Sequence, residues 1–334
     1  MRSFALIPVL VVAAIAAAAG PASAAPPAPD PGSVGVRLLD VPTVARDDPR
    51  ARQYIVDHLA PGAVVNRRIM VSNTTREPMS IAIYPAAAVI EDGSFLGADG
   101  RTANELSTWT TLSSSTLDLA PGAEAEATVT VSVPADAAPG ERYGAAWAEV
   151  RAPGDAGVVL VNRVGIRMYL SVGDGNAPAS DFTVDSLTAG RDPDGRPVVT
   201  AQLHNTGGRA LDMSGALALS GGPGALTAGP FPVQVGSTVA PGRSTTVTIA
   251  MDRQLPDGPW DAALTLRSGL LEESVDARIQ FPAAPGLAAP VAVQDDGDGV
   301  VLLVGALILL VALLIVVVVV LLRRRRRETA REPR

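Results

Sequence analysis

The sequence predicts an all-β protein: two tandem immunoglobulin-like β-sandwiches plus one C-terminal transmembrane helix. Three observations predict it. A Pro-Gly turn recurs, as LAPG at 59–62 and 119–122 and as VAPG at 239–242. Strict alternation of apolar and polar residues follows the second and third copies, the mark of strands with one buried face. Near the end, 300–322 is apolar without a charge.

The elements follow in order. Arg2, the apolar run Phe4–Ala19 and the small residues PASA at 21–24 make 1–24 a secretory signal peptide, cut between Ala24 and Ala25. Residues 25–32 form a Pro-rich linker. The first sandwich, 33–173, takes strands near 34–40, 52–58, 65–73, 79–90, 113–119, 124–133, 142–151 and 158–172, with a short helix near 102–108. In each Ala-Pro-Gly, Pro sets φ at the first central turn position and Gly accepts positive φ at the next, a type II turn. After Gly122, Ala125, Ala127, Val129, Val131 and Val133 share one face, and Glu124, Glu126, Thr128, Thr130 and Ser132 the other. GDGNAP, 173–178, is the joint. The second sandwich, 178–283, takes strands near 181–189, 197–205, 214–220, 231–235, 243–251, 260–267 and 271–281. Each half suits one sandwich in size.

A Pro/Ala-rich and then acidic linker, 284–299, leads to the span 300–322. At ~1.5 Å per residue that helix is about 34 Å long, enough for a hydrocarbon core of about 30 Å. Arg323–Arg327 open the tail 323–334 and hold it in the cytoplasm. The expected topology is single-pass type I in the cell membrane, with the ectodomain outside.

Composition narrows the chemistry. The net charge is −7, and seven arginines against two glutamates crowd into the tail, so the exported part is more acidic than the whole. Bulk charge therefore argues against nucleic acid as a partner. There is no cysteine, so no disulfide or thiol nucleophile is available. His58 and His204 stand in no metal-binding spacing, and no nucleophile elbow, P-loop or dinucleotide fingerprint occurs. Asp295, Asp296 and Asp298 lack the length and downstream Glu of a calcium loop. We expect no enzyme, no metal and no cofactor. Asn73-Thr74-Thr75 reads as a turn.

Three residues are candidates for ligand binding. Trp109 lies in NELSTWTTLSSST, either exposed for stacking on a sugar or partner, or plugging the end of the sandwich. Trp147 and Trp260 fall at matching hairpin positions and read as core. Arg163 and Arg167 interrupt GVVLVNRVGIRMYLSV, 157–172, which is either a central strand or an edge open to strand addition.

YIVDHLAPGAVVNRRIMVSNTT at 54–75 and LDLAPGAEAEATVTVSVPADAAPGERYGAAWAEV at 117–150, ahead of a second sandwich and a C-terminal span, resemble the WxL-interacting proteins of Gram-positive bacteria. The resemblance implies a first domain of the peptidoglycan-binding type and a second of the host-binding type. It implies a membrane-anchored cell-surface scaffold contacting peptidoglycan or a wall-associated, WxL-type protein. The alternative is a chaperone-like strand acceptor for an exported partner protein.

Overall fold

The computed structural model describes residues 33–153, 158–233 and 237–293. The signal peptide with its Ala24–Ala25 junction, the linker 25–32, the span 300–322 and the tail 323–334 lie outside the described residues. Among the described residues no helix is long and apolar enough to cross a membrane.

The chain is all-β in two sandwiches. The first comprises β1 (Val34–Leu38), α1 (Pro49–Gln53), β2 (Ile55–Leu59), β3 (Val64–Asn73), β4 (Met79–Glu91), β5 (Ser94–Gly97), α2 (Glu105–Trp109), β6 (Thr110–Leu112), β7 (Thr116–Leu119), β8 (Glu124–Ser132), β9 (Gly140–Pro153) and β10 (Val159–Val172). One sheet runs β1-β3-β8-β6 and the other β2-β10-β9-β4-β5, with β7 added to β4. This is the strand order of an immunoglobulin-like sandwich. The first edge is split between the sheets: β1 pairs antiparallel with β3, and β2 pairs parallel with the end of β10.

The second sandwich comprises β11 (Thr183–Arg191), β12 (Pro197–His204), β13 (Leu211–Asp212), β14 (Ser214–Ser220), β15 (Ala228–Pro232), β16 (Thr238–Val239), β17 (Ser244–Ala250), β18 (Gly258–Ser268), β19 (Leu271–Phe281), β20 (Gly286–Leu287) and β21 (Val291–Ala292). Sheet β17-β12-β11 faces sheet β15-β14-β18-β19. The last two strands pair with β11. The expected linker 284–299 is therefore corrected: its first part returns as strands and covers the β11 edge.

Alternation builds both cores. On β8, Ala127, Val129 and Val131 are buried against Ile69, Ile81, Ile166 and Met168. In the second core Trp260 is buried in one cluster with Leu264, Val247 and Ile279. At burial worth ~25 cal/mol per Å² of apolar surface, these faces are the main stabilising force.

The recurring turn forms as expected. Ala63, Ala123 and Arg243 each donate a backbone N–H to the carbonyl three residues earlier, at 3.1, 3.0 and 3.1 Å, and the turn glycines Gly62, Gly122 and Gly242 have φ of 80, 72 and 64°. Two of the copies are also tied down by a wholly buried asparagine. Asn73 Nδ2 donates to the carbonyls of Glu77, Leu119 and Ala120 at 2.8, 3.1 and 3.3 Å, and its Oδ1 accepts from Thr75 N. Asn205 Nδ2 donates to Arg209 and Val239 carbonyls at 2.8 and 2.9 Å, and Oδ1 accepts from Gly207 N. Gly122 N and Gly242 N close each motif on the carbonyls of Asn73 and Asn205.

Several local expectations shift. Residues 49–53 form a helix turn ahead of the strand expected at 52–58, because Asp48 caps it through Arg50 N and Pro49 sits in its first turn. The helix expected near 102–108 covers 105–109, fixed by a reciprocal cap between Asn104 and Ser107. Trp147, read as core, faces away from it: its strand neighbours Ala146 and Ala148 point into the core, and Trp147 lies on the outer face.

Candidate functional site: a free strand edge and the domain junction

The outer face of sheet β2-β10-β9-β4-β5 is divided. One end is covered by the second sandwich. The other runs out into a ribbon.

The ribbon follows from register. β4 pairs with β9 only as far as Glu149, opposite Ala82. β9 and β10 stay paired beyond it, out to Pro153 opposite Val159. Val158, Val159, Leu160 and Val161 are 58, 57, 61 and 51 % exposed. On its other side β10 meets β2 only from Met168 to Val172. Among the described residues no strand pairs with that side between Val159 and Arg167. Over its described part, 158–172, this stretch is therefore both things the sequence allowed: a central strand in its second half and an open edge in its first.

Above the ribbon, Trp147 lies between Gly97 and Gly165, where a Cβ would stand 2.4 and 2.6 Å from its ring. Arg163 covers it, with its guanidinium carbon 4.5 Å from the ring centre and N–H groups directed at the carbonyls of Gly100 and Gly97. Beside it Tyr84 donates to buried Glu149, which also accepts from Arg151 Nε at 2.8 Å. That hydroxyl and Arg151 hold the Glu149 carboxyl below its usual range. Burial first, then Glu149, pushes the Tyr84 hydroxyl up.

At the junction, Tyr54, Phe95, Tyr143 and Tyr169 form a ring cluster with centroids 5.2–6.5 Å apart, packed with Val56 against Ala210 of the second sandwich. Asp212, on β13, reaches across. Its Oδ2 accepts from Arg50 Nε at 2.8 Å. Its Oδ1 accepts from Arg167 Nη1 at 3.1 Å, Tyr169 Oη at 2.8 Å and Thr238 Oγ1 at 2.9 Å. Glu141 accepts from Tyr143 Oη and from Ala210 N, both at 2.7 Å. Burial raises its carboxyl, and the hydroxyl, the amide, Arg50 and Arg209 offset this in part. Burial also pushes Tyr143 and Tyr169 up and Arg209 down. On the β5 side, Thr238 N donates to Gly93 O at 2.7 Å, and Ser94 bridges to Ser237.

The three candidate residues thus part company. Trp109 ends α2, half-buried against the first core, with Arg142 over its ring at 4.8 Å. Arg163 belongs to the open half of β10. Arg167 is a junction residue, with its guanidinium carbon 5.2 Å from the Tyr54 ring and 4.9 Å from Phe95. Sequence reasoning missed Arg50, Glu141 and Asp212; their only signal is distributed over three distant segments. His204 pairs with Ser244 at 3.0 Å on the rim of the second sandwich. Among the described residues no group of three or more His, Asp or Glu side chains could hold a metal.

No family model matches the chain, and no curated protein matches it. Solved structures do. The SafA pilin–SafB chaperone complex of Salmonella enterica is 10 % identical, covering 75 % of this chain and 95 % of that one, with a TM-score of 0.38. The E. coli chaperone DraB is 12 % identical, covering 68 % and 94 %, with a TM-score of 0.36. The class 5 fimbriae chaperone CfaA is 10 % identical, covering 69 % and 97 %, with a TM-score of 0.32. At these values the likeness bears on no functional assignment.

Proposed function

We propose that this chain is a non-catalytic binding protein that takes an extended segment of an exported partner protein along the open edge of β10, outside a membrane to which 300–322 anchors it. The observation that carries the reading is the ribbon: four consecutive apolar residues more than half exposed, beside a backbone edge that no strand pairs from 159 to 167 among the described residues. An uncovered apolar edge invites another strand, and natural proteins usually blunt such edges with charge. β19 does so with exposed Glu272, Asp276 and Arg278; residues 158–162 carry no charge. The open stretch is about 30 Å long at ~3.3 Å per residue, room for one added strand. Backbone bonds would supply affinity, and the exposed Val and Leu side chains the selection.

A wall polysaccharide is the weaker reading. Sugar sites use open aromatic faces, and both Trp109 and Trp147 are roofed by arginine.

The test places a photo-crosslinking residue at Leu160, and at Asp276 on the charged edge, in the full chain expressed in cells that export it. The expected result is one dominant adduct at 160, mapping to an extended segment of an exported protein, and slowed amide exchange over 159–167 in the isolated complex. No adduct at 160, or the same adducts at 276, refutes it.

A further inference from the structure

Ile166, Met168 and Leu170 are buried in the first core. The alternate residues of β10, among them Arg163, Gly165 and Arg167, therefore project to the outer face of the sheet. The two arginines differ in their partners. Arg167 is paired with Asp212 across the junction. Arg163 forms no ion pair with any described residue.

A carboxylate does stand next to Arg163 in the sheet. Its cross-strand neighbour on β9 is Glu149. That group is buried and turned aside, bonded to Tyr84 and to Arg151. Asp99, beside Gly100 in the chain, forms no ion pair with Arg163 either. What Arg163 makes instead is two long contacts, 3.4 and 3.5 Å, to the carbonyls of Gly100 and Gly97. Most of its five N–H donors stay free. The guanidinium is nevertheless held in place, 4.5 Å from the centre of the Trp147 ring. Its neighbours along the outer face are Val161 and Gly165, both exposed and neither charged.

Position adds to this. Arg163 is the only charge from 158 to 166, and it stands midway along the open stretch 159–167. A strand added to this edge sets one side chain directly beside it. Opposite charges in that relation attract and like charges repel. The apolar residues around it fix register poorly, because a strand of alternating apolar residues can slide along them by two positions at little cost. A single charge pair removes that freedom.

We propose that the segment taken by β10 carries an aspartate or glutamate on its outer face beside Arg163, and that this pair sets the register of the added strand. The carboxylate is a side chain and not a chain end, since open backbone continues on both sides of 163. The inference rests on the strand-addition reading above and supplies the chemistry of the segment.

The test uses the Leu160 photo-crosslink in the full chain, in cells that export it. The residue beside 163 lies three positions from the residue beside 160, whichever way the segment runs. The mapped segment should therefore hold an Asp or Glu three residues from its crosslinked position. Arg163→Gln should lower the adduct yield several-fold, and Arg163→Glu should lower it further. Both variants strip the guanidinium from Trp147, so the difference between them reads charge and not packing. Exchanging the partner's acid for lysine should lower the yield with the parent protein and restore it with Arg163→Glu. Should neither Arg163 variant fold, the mapped spacing and the partner's lysine exchange against the parent protein decide. An adduct whose segment has no acid at that spacing, equal yields in the two Arg163 variants, or a lysine exchange without effect on the parent's yield overturns the pairing and leaves the edge reading standing. No adduct at 160 overturns both.

Discussion

Replacing Asn73 by alanine isolates what the repeated turn contributes. The side chain is wholly buried, and its amide donates to three carbonyls while its oxygen accepts from the N–H and hydroxyl of Thr75. Of the three carbonyl contacts, the one to Leu119 is fully buried and those to Glu77 and Ala120 are partly so. A buried group left without a partner costs about 1–3 kcal/mol, and groups that can reach water cost less. Counting one such group in full and the rest at a fraction gives about 2–4 kcal/mol. With a denaturant slope of about 1–3 kcal/mol per M, the urea midpoint of the first sandwich should fall by about 1–2 M. Tryptophan fluorescence of the full chain is the assay, since Trp109 and Trp147 lie in this sandwich. Asn73→Asp keeps the oxygen for Thr75 N but loses the amide donors, so it should fall nearly as far. Asn162→Ala, on the exposed stretch of β10, should stay within about 0.5 kcal/mol of the parent. A midpoint for Asn73→Ala as close to the parent as that of Asn162→Ala would refute the reasoning, because the buried amide would then contribute nothing beyond what water supplies.

Other outcomes follow from the same geometry. Asn205→Ala should weaken the second sandwich by a similar amount, since its Nδ2 also serves a buried carbonyl, that of Val239; urea unfolding followed through Trp260 checks it. Glu141→Gln should gain stability relative to the parent as pH rises: burial lifts the folded carboxyl above its unfolded value, so the parent loses stability as pH climbs from the unfolded value through the folded one, and glutamine has no charge to desolvate. Paired urea melts from below pH 4 to pH 7 measure this, and a flat difference across that range would contradict it. Gly165→Ala should cost about 1–3 kcal/mol and alter the emission of Trp147, because the new Cβ would stand 2.6 Å from that ring and 2.7 Å from the Ala146 carbonyl.

Much of the fold was legible because it rests on local signals. The strand at 271–281 appears with the bounds that alternation assigns it, and that at 124–133 lacks only its last residue. The Ala-Pro-Gly turns fold as their residue types dictate. What escaped is non-local. Asn73 reads as a turn residue, and nothing nearby in sequence shows that its amide spans to Leu119. Residues 286–292 read as linker because the strands they form are two residues long and depend on β11 for pairing. Trp147 was misplaced because a tryptophan in a strand suggests a core, whereas here Gly97 and Gly165 make room for it on the opposite face. The candidate site divides likewise. The apolar run of β10 is visible in the sequence, but which half is open depends on where β2 stops pairing. The junction is assembled from Arg50, Arg167 and Asp212, and no spacing rule connects them.

The second sandwich does more than extend the chain. By docking on the outer face of the first, it covers Tyr54, Phe95, Tyr143 and Tyr169, aromatic surface that would otherwise lie open beside the β10 edge. It also engages β5 through Ser94 and Gly93, while β20 and β21 line its own β11 strand. These contacts pair backbone and bury apolar surface, which removes sites where a strand could add nonspecifically. Against that background the bareness of Val158–Val161 is specific. The fold closes or charges neighbouring edges and leaves this one apolar, on a ribbon held clear of both cores. An exposed edge of this kind is an aggregation liability unless something occupies it, and retaining it is the physical reason to look for its partner there.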